Sequence, residues 1–392
     1  MKRFNRNFSI LLLLAFALTA SLAKAQIDVQ NLTPQQQKIF ESRLKQMGVT
    51  VDYNKLSAEE KETYFRSIKQ EEHKRQPSRQ GEQRSARPEQ ANPYKNTLTP
   101  LTDFGEGSYQ GVRGGLYPDG ENVRPQAHNE VGLAIAKALK PLDRSGRVNE
   151  KSGKIVWLSI GMSNTTQETG RFLELMKDYP DKNPKLELVD GAFGGKAINE
   201  INDANAPYWD NIVKQRLEPR GLSPEQVQIV WFKLAEVRPT DTTFLTYTHG
   251  LAEKYLSAMQ ILKKKFPNVR LAYLSSRIYG GYATTDLNPE PFAWYTGWAN
   301  KFLIEEQING DPRLDCTDSD AKVPWLSWGP YLWANGTSQN AQGINWIRSD
   351  LSDADGTHPA STGRQKVAEA LIKFFSTDET SVPWFLKKQA GY

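Results

Sequence analysis

From residue 154 onward the chain repeats one pattern: a short run of consecutive apolar residues, a polar turn, then a longer stretch with helical apolar spacing. The runs 154–160 (KIVWLSI) and 228–234 (QIVWFKL) place apolar side chains at adjacent positions rather than alternate ones. A strand of that kind leaves neither face to water, which is the habit of a parallel sheet covered on both sides. Runs at 186–189 and 269–274 share this character, and 324–332 holds a final strand. Helical spacing lies at 167–179, 290–309 and 361–376, and at 243–266, where Leu245, Leu251, Tyr255, Met259 and Leu262 recur on one side. The alternation predicts an α/β fold, a parallel sheet with helices on both faces. Ligands of such sheets sit at the carboxyl ends of the strands, and that is where chemistry is sought.

The rest of the chain divides by composition. Residues 1–25 open with Lys2, Arg3 and Arg6, continue as an apolar run over 9–22 and end on Ala23-Lys24-Ala25. This is the pattern of a cleaved signal peptide, too short to span a membrane, and predicts an exported protein, secreted or periplasmic. The leader holds four of the fifty Lys and Arg residues and none of the forty-five acids, so its loss lowers the net charge from +5 to +1. A near-neutral protein offers no electrostatic argument for nucleic acid or anionic membrane as partner. Residues 26–73 read as a short helical segment, with amphipathic stretches at 34–47 and 57–73; Ser57 and Glu60 are spaced as a capping box. Residues 74–100, rich in Arg, Gln, Ser and Pro, read as a disordered linker. Residues 101–392 then form one domain. Its single cysteine, Cys316, forbids internal disulfides, so stability must come from the core.

Two segments carry residues suited to nucleophilic catalysis. The run 154–160 leads directly into Gly161-Met162-Ser163-Asn164-Thr165, which presents Ser163 at the sheet edge. Ser163 also suits the cap of a helix starting near Gln167. Near the other end, Asp355 and His358 lie three apart in a turn ahead of the last helix. At that spacing a carboxylate can hold one imidazole nitrogen while the other accepts a serine proton. Serine needs such a base, being a poor nucleophile by itself at neutral pH. Alone, the turn also reads as an Asp- and Gly-rich connection that happens to contain a histidine.

Together these segments resemble the SGNH (GDSL-like) hydrolase superfamily over about residues 150–378. The matches are Ser163 after the first strand and Asp355-Gly-Thr-His358, with Gly363, Lys366, Val367 and Ala368 continuing the closing helix. The resemblance implies a flavodoxin-like three-layer sandwich, with Ser163 as nucleophile, His358 as base and Asp355 orienting it. It also implies that Gly195, with Gly194 as the next candidate in 189–195 (VDGAFGG), gives a backbone N–H to the oxyanion. The family's Asn after the third strand is missing: 233–236 reads KLAE, and Ala235 cannot donate. Lys233 is the expected substitute, or else an ordinary ion-pair partner of Glu236 or another carboxylate.

Other chemistries find less support. The four histidines, His73, His128, His249 and His358, are scattered, and no metal-binding or nucleotide-binding motif is present, so no metal or cofactor is expected. The segment 114–120 is too Gly-rich for a regular element. The segment 324–346 holds Trp325, Trp328, Tyr331, Trp333 and Trp346 beside Asn335 and Asn340. That mixture suits stacking and hydrogen bonding to a sugar, and equally suits an aromatic core under a long loop. Trp328, Tyr331 and Trp333 are therefore candidate substrate contacts, as are Arg277 and Glu290 near the fourth strand's end, where Tyr279 also lies. Two functions follow: a secreted serine esterase removing O-acyl, above all O-acetyl, groups from a carbohydrate or related substrate, or an inactive glycan-binding or cell-envelope module on the same fold.

Overall fold

The computed structural model describes residues 29–46, 49–65, 94, 97–317 and 320–387. The leader 1–25, residues 66–73 and most of 74–100 lie outside the described residues. The chain divides into two compact units at Arg87/Pro88.

In the first unit a helix, Pro34–Gln46, turns Phe40 and Leu44 onto Val29, Leu32 and Tyr53. The Tyr53 hydroxyl is buried, and it donates to Val29 O and accepts from Leu32 N. The capping box at Ser57 forms: Glu60 accepts from the Ser57 amide at 2.8 Å, and Ser57 Oγ accepts from the Glu60 amide at 3.3 Å. Residues 58–65 follow as helix.

The second unit is an α/β sandwich built on five parallel strands: β1 (Ile155–Gly161), β2 (Leu186–Asp190), β3 (Val227–Lys233), β4 (Leu271–Leu274) and β5 (Trp325–Trp328). Their order is β2-β1-β3-β4-β5, all parallel, which is the flavodoxin-like arrangement. The main helices are α1 (Gln126–Ala138), α2 (Ser163–Met176), α3 (Phe244–Lys265), α4 (Phe292–Ile308) and α5 (Ser361–Thr377). Every residue of β1 and β3 is buried, as their unbroken apolar runs require. On one face Trp157 packs against Phe172 of α2 and Phe375 of α5, and Trp231 stacks beside it. On the other, Phe232 meets Tyr255 of α3 edge-on. Successive residues of β3 thus serve opposite layers. No helix among the described residues is long and apolar enough to cross a membrane.

Three elements differ from the sequence reading. Helix α2 begins at Ser163 itself, not near Gln167. The final strand ends at Trp328, because Gly329 and Pro330 carry the chain out of the ladder. Helix α1 had no place in the sequence reading; its interior Gly132 faces the Trp325 ring, where a Cβ would come within 2.3 Å. Leu98 and Thr99, within the predicted linker, join this unit: Leu98 is buried, and the Thr99 and Leu98 carbonyls accept from Trp294 Nε1 and Asn335 Nδ2.

Candidate active site

Strand β1 has β2 on one side and β3 on the other, so the connections from β1 and β2 leave the sheet in opposite directions. In such sheets that switch point, at the carboxyl edge, is where ligands bind. Ser163 stands there, two residues beyond the end of β1, as the first residue of α2. Its Oγ lies 2.6 Å from His358 Nε2, although 195 residues separate them. His358 Nδ1 lies 2.5 Å from Asp355 Oδ2. A proton on Nδ1 held by the carboxylate leaves Nε2 as the acceptor for the serine hydroxyl. Asp355 Oδ1 also accepts from the amides of Thr357 and His358, at 2.9 and 3.0 Å. Burial pushes the Asp355 carboxyl up, but these three hydrogen bonds outweigh it and hold the group down at about 2. The carboxylate therefore stays ionised beside the imidazole. Gly356 permits the turn: its φ is +60°, and a Cβ there would stand 1.8 Å from the Tyr282 carbonyl.

The loop after β2 supplies the backbone beside Ser163. Phe193 N donates to Gly161 O at 3.2 Å, which fixes the loop along the end of β1. A Cβ on Gly194 would lie 3.9 Å from Ser163 Cβ, so Gly194 is the glycine placed against the serine. Gly195 follows with a left-handed φ of +73°. Neither N–H donates to an acceptor among the described residues. With the free amides that open α2, they are the donors available to an oxyanion.

Lys233 does not serve as one of these donors. It is fully buried, and its Nζ donates to both carboxylate oxygens of Glu168 on α2, at 2.8 and 2.7 Å. Burial pushes the ammonium down to about 8 against the pull of Glu168. The Lys233 carbonyl accepts from Thr165 Oγ1 at 2.8 Å. Lys233 thus joins β3 to the helix that carries Ser163. Asp190, at the end of β2, does the same from the other side, accepting from Ser159, Thr166 and the Ala192 amide. Burial raises its carboxyl. The sequence reading missed Glu168 and Asp190. Glu168 was within reach: residues 165, 168, 169, 172 and 176 form the buried face of α2, and an acid on such a face needs a buried partner.

The aromatic candidates are core residues. Trp328, Tyr331 and Trp333 are 2%, 0% and 0% exposed and offer a sugar no surface. Trp328 Nε1 donates to Leu116 O, Tyr331 Oη accepts from Leu101 N, and Trp333 Nε1 donates to Glu290. Glu290 is likewise enclosed, accepting from the Gly280 and Trp294 amides as well as from Trp333. Burial raises its carboxyl to about 7 despite those bonds. Arg277 lies three residues beyond β4 with its amide bonded to Thr296 Oγ1. A cavity of about 410 Å³ lies elsewhere, between α5 and the segment 330–345, and no residue of the Ser163–His358–Asp355 group lines it.

No protein-family model and no curated protein matches the sequence. Among solved structures, the chain is similar to a carbohydrate esterase family 3 protein from Talaromyces cellulolyticus, at 13% identity and a TM-score of 0.34, over 56% of this chain and 95% of that one. It is also similar to the salicylyl-acyltransferase SsfX3 from a tetracycline biosynthetic pathway, at 13% identity and a TM-score of 0.30, over 58% and 56% of the respective chains. Both likenesses are too distant to carry chemistry across.

Proposed function

We propose that the protein is an exported serine esterase of SGNH type that removes O-acyl groups, O-acetyl above all, from a carbohydrate or related polyol. The observation that carries this reading is the continuous line from Ser163 Oγ through the His358 ring to the Asp355 carboxylate, at 2.6 and 2.5 Å. His358 Nε2 takes the hydroxyl proton as Ser163 Oγ attacks the acyl carbon, and the carbonyl oxygen becomes an oxyanion facing the amides of α2 and the Gly194–Gly195 loop. The imidazolium, held by Asp355, then protonates the departing sugar oxygen. Water repeats the cycle on the acyl-enzyme, which releases the acid and restores Ser163.

The inactive-module alternative rested on the missing Asn at Ala235. The free loop amides and the amides of α2 reduce the need for that side chain. The test is a panel of acetylated glycans and p-nitrophenyl acetate, with Ser163→Ala as control and a fluorophosphonate probe alongside. Hydrolysis and labelling that both require Ser163 are expected. A folded protein that neither turns over an ester nor labels at Ser163 would return the reading to the binding module.

A further inference from the structure

Arg277 and Arg216 both stand near the reaction edge, in different surroundings. Arg277 is 1% exposed and faced by the charges of Glu168, Glu290 and Asp355, so it is closed to a substrate. Arg216 is half-buried, on the segment Val213–Leu217 that continues the short helix Pro207–Ile212. Its guanidinium lies over the Phe193 ring, 4.5 Å from the centroid, and Nη2 donates to the Ala192 carbonyl at 3.3 Å. Its Nε is enclosed and meets no acceptor among the described residues. Arg216 therefore grips the loop after β2 through a ring face and one carbonyl. A guanidinium suits that task, because its plane stacks on an aromatic ring while its edge donates.

That loop needs an anchor. Lys196 N donates to Phe193 O at 3.3 Å, closing a turn whose central residues are Gly194 and Gly195. Neither glycine has a side chain to pack, and glycine loses more backbone freedom on ordering than any other residue. The residues on either side therefore set where their N–H groups stand. After the pair, Ala197 and Ile198 are buried, and Ile198 N donates to Ala235 O at 3.0 Å. Before it, Phe193 is the anchor. Its amide donates to Gly161 O, and its ring meets Tyr208 edge-on with centroids 5.8 Å apart. Tyr208 Oη accepts from Gly161 N at 3.2 Å, so the N–H and the carbonyl of Gly161, two residues ahead of Ser163, are both tied to this cluster. The charge of Arg216 also reaches Asp190, which accepts from the Ala192 amide.

We propose that Arg216 is a positioning residue: by holding Phe193 and the Ala192 carbonyl, it keeps the Gly194 and Gly195 amides beside Ser163, where the oxyanion forms. It acts through the loop, not on the substrate. The catalytic consequence rests on the esterase reading; the hold on the loop does not. A displacement of about 1 Å from the productive geometry can cost about a hundredfold in rate. The loss falls on the transition state, where the carbonyl oxygen carries its full charge, and much less on the bound ester.

Two variants of the full chain test this. Arg216→Gln removes the charge, and Phe193→Leu leaves the guanidinium but removes the ring. On p-nitrophenyl acetate each should lower kcat roughly ten- to a hundredfold, with KM near the wild-type value. Arg216→Lys should retain part of the turnover, since an ammonium keeps the ring contact but loses the planar fork. The double variant Arg216→Gln/Phe193→Leu should lose little more than either single one, because both break the same contact. A merely structural arginine would lower the melting temperature and leave kcat unchanged below it. The second arm needs no activity. Hydrogen–deuterium exchange of the segment 191–197, in which the Ala192, Phe193 and Lys196 amides are bonded, should quicken roughly three- to thirtyfold in both variants. Faster exchange in a protein that neither hydrolyses esters nor labels at Ser163 would support the hold on the loop and refute the esterase reading alone. If Arg216→Gln does not fold, Phe193→Leu and Arg216→Lys carry both arms. Wild-type kcat in folded variants, or exchange unchanged in them, overturns the proposal.

Discussion

The turn 353–359 and the segment 324–346 are both built largely of irregular chain, yet they manage their polar atoms in opposite ways. In the turn, Asp355 binds the amides two and three residues ahead and the ring of His358, so the whole device is local. Both side chains keep contact with the surface, at 17% and 26% exposure for Asp355 and His358. In the aromatic segment the partners come from elsewhere in the chain. Trp325 Nε1 donates to His128 O, Trp328 Nε1 to Leu116 O, and Asn335 Nδ2 to Leu98 O. Each of these bonds closes a donor inside the core. A reactive group needs a free lone pair and an approach, whereas a structural one needs every donor matched.

The sharpest way to break this comparison is at the exposed end of the hydrogen-bonded line. Ser163→Ala and His358→Ala should each lower ester turnover by about 10⁶-fold, to the level that oxyanion donors and binding supply alone. Neither should shift the melting temperature much, because both side chains are partly exposed. Steady-state hydrolysis of p-nitrophenyl acetate is the measurement, and wild-type rates in either variant would refute their roles.

Asp355→Asn should cost less, about 10⁴-fold, because the imidazole is left in place but in the wrong tautomer. The same substitution has an acid signature. The Asp355 carboxyl is held near 2, below its ordinary value of about 3.9. Its contribution to stability is therefore complete above about pH 4 and lost as pH falls through 2. Melting curves between pH 4 and pH 2 should fall less steeply for Asp355→Asn than for the wild type. Parallel curves would mean that the turn does not hold the ionised carboxylate.

A third test asks whether Lys233 belongs with the turn or with the core. A buried pair broken on one side leaves a lone charge, so Lys233→Met should destabilise the domain by about 3–5 kcal/mol. Lys233→Met combined with Glu168→Leu should recover most of that loss. Urea titrations of the two proteins check it. Normal stability in the single variant, with turnover down a hundredfold, would instead restore Lys233 as an oxyanion donor.

What could be read in the sequence follows the same division. Strands β1 and β3 were legible because burial on both faces leaves an unbroken apolar run. Asp355 and His358 were legible because their contact spans three residues. Lys233 was not, since its partner Glu168 lies 65 residues away and only the fold brings them together. Trp328 and Trp333 looked like sugar contacts because stacking and burial select the same side chains. Helix α1 escaped notice because Gly132, a weak helix former, is required by the Trp325 ring rather than by the helix.

The smallest effect tests the aromatic segment itself. Trp333→Phe keeps the ring's position in the core but removes the N–H that binds Glu290 at 2.7 Å. If Trp333 is structural, the change should cost about 1–3 kcal/mol in stability and leave KM for an acetylated glycan where it was. The pH dependence supplies a second readout. The Glu290 carboxyl is raised by burial to about 7, so the folded state holds its proton more tightly than the unfolded chain does. Its contribution is full below about pH 4, declines as pH rises and flattens above about 7. The Trp333 N–H favours the ionised carboxylate, so its loss pushes the folded value further up and carries the decline beyond 7. Trp333→Phe should therefore be closer to wild type at pH 5 than at pH 8 in thermal melts. A variant with unchanged melts at both pH values and a raised KM would place Trp333 at the substrate and undo the contrast between the two segments.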